Sequence, residues 1–203
     1  VLDWRKDIQV RSARIWATPL TAAQFKQVTG LDAFPDFLKS NVGPDNLLNA
    51  RQNGEVNYTI CGVHAKVVAR WDYEAPPGAK DAHYALLRGT QANLVIKQGA
   101  EEKYAPTLYI ENIAGASTAD FEKAVRGAVG KLAKDWPGVD VKAAGIAWKI
   151  IVPEKYNVGH EAHFAQVTEK YLRYLADGKI PAWETAGMLA KYFTTTEAYR
   201  LSR

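Results

Sequence analysis

Apolar and polar positions alternate through most of the first two thirds of the chain, then give way to a helical period. The stretch "IQVRSARIWATP" (8–19) alternates and ends at Pro19, which predicts a strand. "TAAQFKQVTG" follows as a short helix, with Thr21 as its N-cap and Gly30 as its stop. "FPDFLKSN" predicts a further short helical turn. "GPDNLLNARQNGE" is punctuated by Gly, Pro and Asn and reads as an irregular connection. From Val56 the period of two persists over a long stretch. Val63, Ala65, Val67, Ala69, Trp71 and Tyr73 share one face; His64, Lys66, Val68, Arg70 and Asp72 share the other, more polar one. This predicts one long strand, broken by "APPGAK". "DAHYALLRG" and "QANLVIKQG" meet at Gly89–Thr90 as a tight hairpin, and "PTLYIENI" adds a strand.

The period then changes. "STADFEKAVRGAVGKLAKDWPG" sets Phe121, Val125, Val129 and Leu132 on one stripe, with Ser117 or Thr118 as N-cap and Pro137–Gly138 as the stop. "IAWKIIVP" returns to strand. Two helices finish the chain, one from about His160 to Ala176 before Gly178, the other from about Trp183 to Leu201 after Pro181. Hairpin-connected strands with helices between and after them predict an α+β fold: one largely antiparallel open β-sheet with helices packed on one face, in a single domain over residues 1–203.

Composition narrows the function classes. The 203 residues are 47% apolar and 24% charged, ordinary values for a water-soluble domain. The net charge of +4 is spread through mixed runs such as "FEKAVRG" and "VTEKYLRYLADGK", not gathered into the basic stripe that nucleic acid requires, so no nucleic-acid partner is expected. Nor is a membrane: no apolar run approaches a membrane span, and no signal peptide is legible. Cytoplasm and periplasm are both compatible. Cys61, the single cysteine, lies in an apolar strand pattern, where a buried inert thiol is expected. Six Trp and ten Tyr suit cores that border a polar cleft or an interface. The chain starts at Val1 and its one methionine is Met188, so the expectation is a piece of something longer or a chain that has lost a leader.

Candidate chemistry centres on "VGHEAHF". A zinc-protease helix needs H-E-x-x-H; here His160 and His163 are three apart, with no third ligand nearby. On a helix, Phe164, Val167, Tyr171 and Leu175 fall within about 60° of His160, with His163 on the same side. The two imidazoles thus either edge the core or open into a cleft, where neutral rings can bind hydroxyls or relay protons. His83 shares a strand face with Asp81, and His64 sits on the polar face of its strand; surface hydrogen bonding accounts for both. G-x-G-x-x-G, Walker A, G-x-S-x-G and C-x-x-C are all absent from the sequence.

Three stretches carry a resemblance. "HYALLRGTQANLVIKQG" resembles the strand–Gly-Thr–strand element in the C-terminal domain of the glucose-fructose oxidoreductase / inositol dehydrogenase / MocA family. "HFAQVTEKYLRYLADGKIPAWETAGMLAKYFTTTEAYRLSR" is similar to that family's ending, in which an aromatic-led helix leads to a Gly-x-x-Pro turn and a last helix. "VLDWRKDIQVRSARIWATPLTAAQFKQVTG" resembles the stretch after the catalytic histidine helix in a subgroup of these oxidoreductases. The resemblance implies the C-terminal substrate-binding and dimerisation domain of an NAD(P)-dependent oxidoreductase acting on a sugar or polyol. NAD or NADP would be held by an N-terminal Rossmann domain of the same protein, upstream of Val1, with no cofactor site in this chain. The family's lysine motif and Asp-x-x-x-His helix have no counterpart here, so the resemblance assigns no catalytic residue to this piece, which alone would be inactive.

By position, the resemblance implies His160, His163 and Tyr156 as substrate-side groups, with Arg14 and Trp16 on the first strand as further ones. It also implies a homodimer through the sheet face. The rival expectation is a stand-alone carbohydrate- or protein-binding module. A third, a metal hydrolase built on the histidine pair, requires bound zinc.

Overall fold

Strand β1 (Ile8–Trp16) pairs antiparallel with β2 (Asn53–Ile60), and β2 with β3 (Val63–Ala69). The long alternating stretch is therefore a hairpin and not one strand. It turns at Cys61–Gly62, where both residues have positive φ (48° and 78°), as a two-residue hairpin loop requires. Cys61 sits exposed at the tip of that loop; the expected buried thiol is corrected. A one-turn helix α1 (Trp4–Asp7) precedes β1, and Trp4 stacks against Phe193 with ring centroids 4.8 Å apart. Phe193 belongs to the last helix, α5 (Ala182–Leu201), which packs along β1. The buried residues of α5 are Ala186 and Ala190, small enough for a helix backbone to lie close.

The connection between β1 and β2 has more order than its composition suggested. Helix α2 (Ala22–Thr29) opens with a full capping box: the Thr21 hydroxyl accepts from the Gln24 N–H, and the Gln24 side chain accepts from the Thr21 N–H. A 3₁₀ turn follows at Asp36–Asn41. Leu48 then forms bridges to both Leu20 and Val42, and with Leu20 and Phe25 makes a small core. Phe34, Leu38, Trp71 and Tyr73 pack on that core.

A second sheet has the order β4–β5–β6–β8–β7, every pairing antiparallel: β4 (His83–Arg88), β5 (Ala92–Gln98), β6 (Thr107–Asn112), β8 (Ala147–Ile151) and β7 (Asp140–Ala144). Helix α3 (Thr118–Asp135), capped by the Ser117 hydroxyl, lays Phe121, Val125 and Val129 on Val141 and Trp148. The end of the predicted stripe, Leu132, is instead 53% exposed. The Trp148 indole is 5% exposed and meets Phe121 at 4.9 Å. Its N–H has no hydrogen-bond partner among the described residues, a local cost of about 1–3 kcal/mol that the ring's packing offsets. A 3₁₀ turn (Glu154–Tyr156) leads to α4 (Gly159–Ala176).

This computed structural model describes residues 1–113, 115 and 117–203. It is α+β with open antiparallel sheets, as the pattern predicts, but the strands divide into two sheets where one was expected. The physical reason lies between β3 and β4: "APPGAK" carries two prolines, which lack the N–H a ladder needs, and Gly78 with φ 81°. The chain forms two compact units, Val1–Glu74 with Tyr171–Arg203, and Ala75–Lys170.

Candidate functional site

In the first unit, the end of β1 borders a concavity of about 450 Å³. Ile15, Trp16 and Ala17 form one side. The segment Ser40–Gly43, with Asn49 and Arg51, forms the other. The backbone holds these residues in place. Asn49 N–H donates to Asn41 O at 2.8 Å, Gly43 N–H to Leu47 O at 2.9 Å, and Leu48, 1% exposed, anchors the segment below. The turn at Gly43–Leu47 is closed by the Asp45 carboxylate, which accepts the Leu47 N–H at 3.1 Å. It also needs Asn46 at φ 59°, a conformation asparagine tolerates better than most residues.

The end of β1 is fixed just as firmly. Asn53, 2% exposed, accepts the Trp71 N–H at 2.6 Å and donates to the Thr18 hydroxyl at 3.0 Å and to Trp16 O at 3.3 Å. The Arg14 guanidinium lies 4.8 Å from the Trp16 ring centroid and donates to Glu55 at 3.1 Å. Lys66 reaches the same carboxylate at 3.0 Å. The Lys66 contact first, then Asn57 and Arg14, hold the Glu55 carboxyl below its ordinary 4.5, against the opposing effect of burial. On α5, the hydrogen bond from Arg203 holds the Tyr199 phenol below its ordinary range; the Arg203 charge and then Arg51 act in the same direction.

Of the five residues expected at the site, Arg14 and Trp16 are thus in contact, and Trp16 lines the concavity. The other three belong to the 75–170 unit. The Tyr156 hydroxyl donates to Pro137 O at 3.1 Å, and its ring meets Trp136 at 5.3 Å. His160 and His163 both flank the Phe164 ring, at 4.8 and 6.5 Å. Both histidines are exposed, and His160 Nδ1 lies 3.1 Å from the Glu161 carboxylate. Helix α4 forms where the periodicity predicts it, yet no residue of it is buried. Its stripe of Phe164, Val167, Tyr171 and Leu175 is more than half exposed throughout. The core-edge setting for the two imidazoles is therefore corrected: a 3.6-residue period identifies which face is apolar but not what covers it.

Among the described residues no group of three or more His, Cys, Asp or Glu side chains is placed to hold a metal ion. Nor is any helix long and apolar enough to cross a membrane. A second concavity, also about 450 Å³, lies beside His83, Tyr84, Lys97, Gln98 and Glu102. There the Gln98 amide donates to Asp81 O at 3.0 Å, and no hydrogen bond joins the His83 and Asp81 side chains among the described residues. Nearby, burial and a bond donated to Glu102 at 3.2 Å push the Tyr109 phenol up.

Sequence reasoning missed Ser40, Asn41, Asn49 and Arg51. The available signal was a polar, arginine-bearing segment returning to the strand that faces Trp16, but without the Leu20–Leu48–Val42 bridges nothing gathers it.

Comparison with known proteins bears on the chain as a whole. Residues 1–203 match the family described as "Putative oxidoreductase C terminal domain". No curated protein matches. A solved structure of a putative oxidoreductase from Parabacteroides merdae is similar to this chain with a TM-score of 0.95 and 45% sequence identity. The likeness covers 100% of this chain and 46% of that one, so the chain spans just under half the length of that protein.

Proposed function

The chain belongs to the family of putative oxidoreductase C-terminal domains, and from that premise we propose that it is the substrate-binding and dimerisation domain of an NAD(P)-dependent oxidoreductase of the glucose-fructose oxidoreductase / inositol dehydrogenase / MocA kind, acting on a sugar or polyol. The observation that carries this reading is the end-to-end match to just under half of an oxidoreductase chain.

The residues of this chain do not fit the cofactor themselves. Every strand pairing described is antiparallel, whereas a dinucleotide pyrophosphate is seated where a strand of a parallel sheet runs through a glycine-rich turn into a helix. In this reading NAD or NADP belongs to an N-terminal Rossmann domain of the same protein and supplies the hydride chemistry. This chain binds and orients the substrate. Trp16, at a concavity lined with amides and a hydroxyl, and Arg14 against its ring are the better-supported substrate-side groups. Tyr156, His160 and His163 form a second set, whose exposed imidazoles can meet hydroxyls, His160 through the ring nitrogen turned away from Glu161.

Dimerisation is supported by the sheet β4–β5–β6–β8–β7. Edge strand β4 leaves Leu87 57% exposed, and its partner in register, Leu94, is 39% exposed. An open edge with apolar neighbours is usually covered in the working assembly. The uncovered stripe of α4 supports membership in a larger assembly for the same reason. One observation favours the rival, a stand-alone carbohydrate- or protein-binding module: the polar concavity is complete within residues 15–51 and needs no other domain.

Reading the coding sequence that flanks this chain separates the two. The oxidoreductase reading expects a strand–G-x-G-x-x-G–helix start and a histidine-bearing helix upstream of Val1. A start codon or secretion signal directly before Val1 would instead make the binding module the leading account.

A further inference from the structure

We propose that the concavity at the end of β1 is a seat for a small polyhydroxylated carboxylate, a sugar acid of the aldonate or uronate type. The proposal deepens the reading above, since it makes that seat part of the parent enzyme's substrate site. Its recognition chemistry, however, stands on the lining residues alone.

Charge decides the class of ligand. No Asp or Glu is among the nine lining residues, and the one ionised side chain there is Arg51. Its guanidinium makes no hydrogen bond or ion pair among the described residues, although Tyr199 feels its charge. Of the neighbouring acids, Asp45 lies beside Gly43 and accepts the Leu47 N–H, and Glu55 is held by Arg14 and Lys66. An uncommitted guanidinium fork matches a carboxylate with two parallel hydrogen bonds. A phosphate, with twice the charge, would be better met by a second free cation, and Arg14 is already committed to Glu55.

The other lining groups suit hydroxyls. Ser40 and Asn41 have side chains without hydrogen bonds among the described residues. Asn49 gives one amide hydrogen to Leu47 O at 3.3 Å and keeps its carbonyl oxygen free. Hydroxyls and amides each donate and accept, as a sugar hydroxyl does, so they bind it in either sense. The Trp16 ring, steadied by Arg14 at 4.8 Å, adds an apolar surface for the C–H face of a sugar. The framework is preformed, because the Asn49–Asn41 and Gly43–Leu47 backbone bonds fix both loops from which the polar groups project.

The test is isothermal titration calorimetry on the full-length protein with sodium D-gluconate and D-glucuronate against D-sorbitol and D-glucose. The expected result is about tenfold tighter binding of the carboxylates than of their neutral counterparts. Arg51→Gln should abolish that preference, Arg51→Lys should restore part of it, and Trp16→Ala should weaken both classes together. Unaltered thermal unfolding of Arg51→Gln checks that the variant is folded. Equal binding of gluconate and sorbitol, or a preference that survives Arg51→Gln, would overturn the proposal. Failure of the broader reading looks different: gluconate then binds through Arg51 but no nicotinamide is turned over with any sugar. If sorbitol is turned over and the protein shows no carboxylate preference, the seat falls and the oxidoreductase reading stands.

Discussion

The sheet β4–β5–β6–β8–β7 buries Phe121, Val125, Val129, Val141 and Trp148 beneath α3, whereas the sheet β1–β2–β3 is secured by polar ties: Asn53 across its end, and Arg14, Glu55 and Lys66 across its three strands. The first arrangement draws its stability from apolar area removed from water, which is non-directional. The second depends on geometry and charge, and these same properties shape a binding surface. Trp16 has its place because Asn53 fixes the end of β1 and Arg14 stacks on the indole. The comparison teaches that the unit with the less apolar sheet is the one whose polar ties frame the concavity proposed as a binding seat.

Breaking the apolar side should produce the largest effect. Trp148→Ala removes a buried indole and is expected to cost about 3–5 kcal/mol in urea unfolding. Trp148→Phe should cost markedly less, since it also removes an N–H that has no partner. If both substitutions cost the same, the ring's packing is not what holds that sheet. Next in size is Asn53→Ala, which leaves the Trp71 N–H without its partner and removes the bond the Thr18 hydroxyl accepts, while that hydroxyl still donates to Trp71 O. It should cost about 1–3 kcal/mol and lower sugar affinity, because Trp16 is then no longer held. A loss of stability with unchanged affinity would separate the polar tie from the site.

The smallest effect is the most selective. The folded state holds the Glu55 carboxyl below its ordinary 4.5, so its contribution is fully present above that value. It declines as pH falls from 4.5 towards the depressed folded pKa, and is lost below it. Glu55→Gln should flatten the dependence of Tm on pH between about 6 and about 3. It should do so through the three-stranded unit alone, which hydrogen exchange of β2 against β8 would read separately.

How much of this was legible in the sequence follows from the same contrast. Helix α3 could be read from its Ser117 cap and apolar stripe, and the β4–β5 hairpin from its alternation around Gly89–Thr90, because local propensity and burial agree there. The Cys61–Gly62 turn left a trace that was passed over: the apolar face falls on Val56, Tyr58 and Ile60 and then on Val63, Ala65 and Val67, a change of parity that a two-residue loop produces. The start of β2 was missed because Asn53, Glu55 and Asn57 are polar on a face that pairs through hydrogen bonds and charges, and β7 because "DVKAA" is too short to show a period. The site fared likewise. Trp16 and Arg14 were reachable through resemblance, but Arg51 and Asn49 lie in a segment whose order comes from the Leu20–Leu48–Val42 bridges, which are long-range and leave no periodic trace. The histidine pair was singled out by its spacing, its place on the apolar stripe of α4 and its position in the resemblance; none of these says what covers a helix face, and no residue of α4 is buried.

The central claim is that this chain is the substrate side of a nicotinamide-dependent sugar or polyol oxidoreductase. Its most direct test is the 340 nm absorbance of NADH or NADPH while the full-length protein is supplied with either cofactor and a panel of sugars, polyols and sugar acids. The account predicts turnover of at least one of these compounds, with kcat/KM lowered by Trp16→Ala. No turnover with either cofactor, together with tight carbohydrate binding in the absence of both, would contradict the account and identify a binding module.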